Sequence, residues 1–115
     1  MLKPEDKSKS EIPPGTLEML ILKTLARTGP LHGYGIARHI KAWSERVLHI
    51  EEGSLYPALQ RMLIKGWVTA RWGQTERNRR ARFYKLTPAG RKRLTAEISE
   101  FNRVIGAIVR VIEPV

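Results

Sequence analysis

The chain has 115 residues, 42% hydrophobic and 28% charged, with no cysteine, and a chain this short supports one small core that buries about two thirds of its unfolded surface. This composition excludes collagen-like, wholly disordered and disulfide-scaffold classes, and the lack of cysteine removes disulfides, thiolate zinc sites and cysteine nucleophiles. Twenty-one Lys and Arg against eleven Asp and Glu leave a formal charge of +10, which points to a polyanionic partner, nucleic acid first and acidic membrane second.

Residues 1–14 are polar and end in Pro13-Pro14, so they read as a flexible tail without the hydrophobic region of a secretory signal. A first helix follows, with Leu17, Leu20, Ile21 and Leu25 at helical spacing, Thr16 as N-cap and Gly29-Pro30 as the stop. Ile36, Ile40, Trp43 and Val47 line one face of a second helix that begins near Gly33 and Gly35. Val47 to Ile50 is β-prone and short, and reads as a brief strand. The third helix is expected from about Ser54, its N-cap, to Lys65, with Leu55, Leu59, Met62 and Leu63 on one side, Pro57 in its first turn and Gly66 at its end. Two extended segments, Trp67 to Trp72 and Arg82 to Leu86, flank a polar loop over residues 73–80 and make a hairpin with a basic tip. Thr87-Pro88 then opens a last helix in which Leu94, Ile98, Phe101, Ile105, Ile108 and Ile112 step by four and three, a seam of heptad type.

The charge is not spread evenly along these elements. Residues 54–93 hold eleven basic side chains against one acid, Glu76, while the rest of the chain cancels to zero. A face meant only for solubility would mix signs, and a segment this one-sided repels itself until a polyanion neutralises it. The order helix, helix, strand, helix, hairpin is that of a winged helix-turn-helix: the fold class is mainly α with a small β-hairpin, plus a C-terminal dimerisation helix. In that arrangement the third helix enters the DNA major groove. On an ideal helix with Leu59 facing the core, Ser54, Pro57, Arg61, Ile64 and Lys65 point more than about 110° away, which leaves Arg61 and Lys65 free to meet DNA. Tyr56, about 60° from the buried direction, either packs or reaches a base or phosphate. Ser54, Gln60 and Arg61 are the candidates for base edges, and Arg77, Arg79, Arg80 and Arg82 at the hairpin for the phosphate track.

Four blocks in order strengthen this reading: Gly15-Thr16-Leu17-Glu18-Met19-Leu20-Ile21-Leu22, Leu31-His32-Gly33-Tyr34-Gly35-Ile36, Glu51-Glu52-Gly53-Ser54-Leu55-Tyr56-Pro57-Ala58-Leu59 and Arg82-Phe83-Tyr84-Lys85-Leu86-Thr87-Pro88-Ala89-Gly90. With these, residues 15–113 resemble the PadR family of bacterial transcriptional regulators, named for control of phenolic-acid decarboxylase genes. The resemblance implies that Ser54, Tyr56 and Pro57 lie on the DNA side of the recognition helix, with His32, Gly33 and Tyr34 near the DNA backbone at the start of the second helix. It also implies the shorter form of the family, with one dimerising helix, mostly repressors, some of which release DNA on binding a small aromatic or drug-like molecule. Residues 15–87 are then the DNA-binding domain and 88–115 the dimerisation helix.

Other chemistry is weaker. His32, His39 and His49 lack the spacing of a helical metal site, so no metal and no cofactor are expected. Gly33-Tyr34-Gly35 lacks the third glycine and the preceding strand of a dinucleotide fingerprint, and no nucleophile, base and orienting acid come together, so the chain is not expected to be an enzyme. The seam from Leu94 to Ile112 exceeds what three short helices can cover, which predicts a twofold homodimer with recognition helices about one DNA turn, near 34 Å, apart on a palindromic site. A small aromatic effector would stack on Trp43, Trp67 or Trp72, although packing explains each more simply. The longest apolar run is far short of the roughly 20 residues of a spanning helix, so no membrane association and a cytoplasmic location at the nucleoid are expected. An RNA-binding module shares the charge and is the alternative.

Overall fold

The computed structural model describes residues 12–13 and 15–114, so the expected tail over 1–14 lies almost wholly outside the described residues. Seven elements follow in order: α1 (Leu17–Thr28), β1 (Leu31–His32), α2 (Gly33–Trp43), α3 (Glu52–Ile64), β2 (Val68–Gln74), β3 (Arg80–Leu86) and α4 (Pro88–Ile112). The strands form one antiparallel sheet in the order β1-β3-β2. This is the winged helix-turn-helix order with a long fourth helix. Helical periodicity selects the core: Ile21, Leu22 and Leu25 of α1, Ile36 and Ile40 of α2, and Leu55, Ala58, Leu59 and Met62 of α3 are buried with Val68, Tyr84 and Leu94.

Several local expectations are corrected. The brief strand at Val47–Ile50 is absent but for an isolated bridge at Leu48. Helix α2 stops at Trp43, and the chain turns through Glu45 and Arg46, both at positive φ (54° and 68°). Val47 then donates to the Ser44 carbonyl and Leu48 to the Ser44 hydroxyl, so the donors a strand would need are consumed locally. The third strand is instead β1, paired through Leu31 with Tyr84 and through His32 with Phe83.

Helix α3 begins at Glu52, with Glu51 rather than Ser54 as its N-cap, because the Glu51 carbonyl already accepts from Ser54 and Leu55. Acidic residues suit the positive end of the helix dipole. Pro57 therefore lies inside the helix, where it leaves the Gly53 carbonyl without its helical donor; both residues are exposed, so water replaces that bond. Thr16 is the N-cap of α1 as expected, its carbonyl accepting from the Leu20 N–H, but its hydroxyl makes no cap bond and donates to the Pro13 carbonyl instead. The wing strands run longer than expected, to Gln74 and from Arg80. The turn is closed by Thr75 donating to the Arg79 carbonyl at 2.8 Å, with Asn78 at φ 63°.

Helix α4 starts as expected, with Thr87 as cap and Pro88 in its first turn. The Thr87 hydroxyl accepts from the Gly90 N–H at 2.9 Å and donates to the Gly66 carbonyl at 2.7 Å, while the Thr87 N–H donates to the Trp67 carbonyl at 3.1 Å. A Cβ on Gly90 would fall 2.0 Å from the Trp67 carbonyl oxygen, a backbone atom that no rotamer can move aside. Gly90→Ala should therefore lower unfolding free energy by at least about 2 kcal/mol in urea denaturation, against the helix-propensity gain of up to about 1 kcal/mol that alanine brings elsewhere.

Candidate nucleic-acid interface

Gly33 of α2 lies against the Tyr56 side chain of α3. A Cβ there would lie 2.9 Å from both Cε1 and the hydroxyl oxygen of Tyr56, so the absent side chain is the seat of the phenol. His32 caps α2, its Nδ1 accepting from the Gly35 N–H at 3.0 Å. In the neutral ring this leaves the proton on Nε2. The ring meets Phe83 edge-on at 5.3 Å and stacks on Tyr34 at 6.5 Å. Tyr34 is 66% exposed, with the Arg38 guanidinium 5.7 Å from its ring centre. Burial, with Glu52 and Tyr84 nearby, holds the Tyr56 hydroxyl above its ordinary pKa, so it stays a neutral donor at physiological pH. His32, Tyr34 and Tyr56 are thus gathered at one corner, where Tyr34 and Tyr56 are exposed.

Along α3, Ser54, Pro57, Gln60 and Arg61 are all exposed, opposite the buried Leu55, Leu59 and Met62. Arg61 is nevertheless not free. Its Nε donates to the Glu18 carboxylate of α1 at 3.3 Å. Lys65, the C-cap of α3, leans over Trp67, its ammonium 4.7 Å from the ring centre. Both expected contact residues are therefore held by their own protein at the far end of α3, where α1 and the start of β2 offer them partners.

On the wing, Arg77 and Arg79 lie in the exposed turn, whereas Arg80 and Arg82 belong to β3. Among the described residues, none of these four pairs with a carboxylate at ion-pair distance. Sequence reasoning missed the aromatic partners of the cations. Arg80 lies 4.8 Å from the Trp72 ring centre and Arg82 5.9 Å from that of Tyr84. The other two indoles are likewise attended, Trp43 by Arg27 and His39, Trp67 by Lys65 and Arg93. A flat ligand stacking on the same ring face would have to displace a cation. His39 contacts the Gly35 carbonyl through Nδ1 and His49 the Arg46 carbonyl through Nε2.

The expected seam on α4 divides. Leu94 is buried in the protomer's own core, a correction to its placement at a dimer interface, and Ile98 and Phe101 pack against that core. Ile105, Ile108 and Ile112 are exposed, Ile112 to 72%. With Val104, Val109 and Val111 they leave the outer turns of α4 uncovered.

Comparison with known proteins places these features in a family. The model of the PadR-like family of transcriptional regulators matches residues 21–96. A transcriptional regulator from Clostridium thermocellum superposes with a TM-score of 0.78 at 25% identity, covering 86% of this chain and 95% of that one. A PadR family transcription regulator from Clostridium difficile gives a TM-score of 0.68 at 28% identity, covering 84% and 96%. An uncharacterized 37.1 kDa protein in transposon TN4556 of Streptomyces fradiae is 40% identical over 91 residues, or 79% of this chain. The chain spans only 24% of that relative's length.

The Gly33–Tyr56 approach makes a coupling testable without DNA. Gly33→Ala should destabilise the wild-type protein more than it destabilises Tyr56→Ala, with a coupling of about 1 kcal/mol in urea unfolding. Equal effects in the two backgrounds would mean that Tyr56 does not rest on Gly33.

Proposed function

Because the chain belongs to the PadR-like family of transcriptional regulators, whose members regulate through DNA binding, we propose that it binds a palindromic operator as a homodimer and represses transcription from it. The observation that carries this reading is the wing, where Arg77, Arg79, Arg80 and Arg82 stand without carboxylate partners among the described residues. An uncompensated cluster of guanidinium groups repels itself, and a phosphate backbone relieves that repulsion with release of counterions. Beside it, the exposed face of α3 presents Ser54, Tyr56, Pro57 and Gln60 toward the major groove. His32 and Tyr34 supply donors for the flanking backbone. Sequence preference then comes from Ser54 and Gln60, while Arg61, tied to Glu18, braces α3 against α1.

Residues 15–87 act as the reading domain and 88–115 as the dimerisation helix. On an ideal helix, Val111, Val104, Ile108, Phe101, Ile112, Ile105, Ile98 and Val109 spread over about 160° of α4. That is wider than the narrow seam of a two-stranded coil and suits contact with two elements of a second copy, its α4 and its α1. A twofold axis through this contact sets the two α3 helices about 34 Å apart, one DNA turn.

Two measurements test the reading. Retention of selected duplex DNA should exceed that of duplex RNA or single strands of the same sequence, and fall steeply with potassium chloride, by about 0.9 in log affinity per log salt for each phosphate neutralised. Preference for RNA would transfer the protein to the class of RNA-binding modules. Replacing Ile105 and Ile108 together by Glu should give a folded monomer by analytical ultracentrifugation, with duplex affinity reduced at least about tenfold by loss of the second reading head. A variant that remains dimeric places the interface elsewhere.

A further inference from the structure

The wing carries an arrangement that generic basic character does not require. Within the antiparallel ladder, Trp72 stands opposite Arg82 and Gln74 opposite Arg80. Side chains alternate along strands, so Trp72, Gln74, Arg80 and Arg82 share the face that also carries Val68, Tyr84 and Leu86. At its inner end that face is buried, with Val68 and Tyr84 in the core, and β2 packs against α3. At its outer end Trp72 is 58% exposed and is not among the residues packed against the core.

The cations on this face lean on rings. Arg80 lies over Trp72, its diagonal cross-strand neighbour, at 4.8 Å, and Arg82 lies 5.9 Å from Tyr84, its neighbour two positions along β3. Each basic side chain thus has an aromatic platform on the same face. Three arginines outside the wing are held by carboxylates instead, Arg61 by Glu18, Arg93 by Glu97 and Arg103 by Glu100, while Arg27 and Arg38 also lie near rings, those of Trp43 and Tyr34. The difference matters chemically. A carboxylate neutralises the guanidinium and takes up its N–H donors, so it competes with a phosphate for both. A ring face attracts the cation through its quadrupole but carries no net charge and no in-plane lone pair, so charge and donors stay available. It also restricts a side chain whose freedom would otherwise be lost on binding.

We infer that Trp72 is a positioning residue of the DNA interface: its indole holds the Arg80 guanidinium on the wing as a preoriented donor for the phosphodiester backbone flanking the major-groove site. The proposal rests on the DNA-binding reading above. It makes an uncharged side chain a determinant of the electrostatic part of binding.

The salt dependence reads this out. The probe is a fluorescein-labelled duplex of roughly 30 base pairs, long enough for two half-sites and their flanks, selected on the wild-type protein from a randomised library. Trp72→Ala should weaken binding about tenfold near 150 mM potassium chloride and lower the slope of log affinity against log salt by about 0.9 per subunit, as Arg80→Ala does. The double variant should be no worse than the weaker of the two single variants. Trp72→Phe, which keeps a ring face, should recover much of the loss. Trp72→Leu keeps bulk without a π face and should behave as Trp72→Ala, so unfolding of the alanine variant does not decide the question. Wild-type affinity in Trp72→Leu overturns the proposal, as do losses that simply add in the double variant. A loss of affinity with unchanged salt slope overturns it too, because the indole then makes an apolar contact of its own. Wild-type protein whose binding ignores salt overturns the DNA-binding reading itself.

Discussion

The geometry of the molecule depends on the junction where α4 leaves the winged-helix body. There the Thr87 hydroxyl bridges the Gly66 carbonyl and the Gly90 N–H, while the Thr87 N–H reaches the Trp67 carbonyl. These bonds join the end of α3, the start of β2, the end of β3 and the first turn of α4 through one residue. The absent side chain of Gly90 lets the helix sit directly on the Trp67 carbonyl. A helix of 25 residues is about 37 Å long, so a 5° error at its base displaces its far end by roughly 3 Å, about one base-pair step. The proposed dimer, with two reading heads on one turn of DNA, needs that pivot fixed, and the Thr87 hydrogen bonds and the close seat of Gly90 hold it.

The same economy governs charge. The acids lie mostly outside residues 54–93, and of the three ion pairs among the described residues one ties α3 to α1, Arg61–Glu18, while Arg93–Glu97 and Arg103–Glu100 lie along α4. Such exposed pairs contribute little to stability, at most about 1 kcal/mol each. Their value is directional, since Glu18 draws Arg61 across the surface. On the wing, Arg80 and Arg82 have rings in place of acids, which preserves the positive potential. Within about 10 Å these charges repel one another at physiological salt, so the free protein carries a strain that polyanion binding removes.

Much of this fold was legible because its signals are local. The helical spacing of Leu17 to Leu25 and Ile36 to Ile40, the Thr87-Pro88 start and the clustering of basic residues need only a few neighbouring positions to be read. What escaped was set by distant partners. Two residues at Leu31–His32 become a strand only because β3 lies beside them. Arg61 meets a carboxylate 43 positions away. Trp72 and Arg80 become neighbours through a hairpin register set by the Thr75–Arg79 turn, and moving the strand ends by two residues brought Arg80 out of the loop and into the ladder. Leu94 carries the same heptad spacing as Ile105, yet one is buried in the core and the other exposed, because periodicity reports a face and not what covers it. In the candidate site, the nearness of His32, Tyr34 and Tyr56 follows from the Gly33 approach, and the Arg61–Glu18 and Lys65–Trp67 contacts depend on elements distant in sequence or on the chain's turn after α3.

The division of α4 couples folding to association. Up to Phe101 the helix has the protomer's own core beneath it; beyond, no residue of the described helix is buried. The remaining eleven residues, Asn102 to Ile112, are mostly apolar and include Gly106, which disfavours helix by about 1 kcal/mol relative to alanine. A segment of that length is marginal as an isolated helix in water. In the proposed dimer its helicity and the burial of Ile105, Ile108 and Ile112 come from the same event. The spacing of the reading heads, the order of the last turns of α4 and the subunit equilibrium are then one linked system. Operator affinity must depend on protein concentration below the dimer dissociation constant, and duplex carrying both half-sites must in turn promote helix formation at the end of α4.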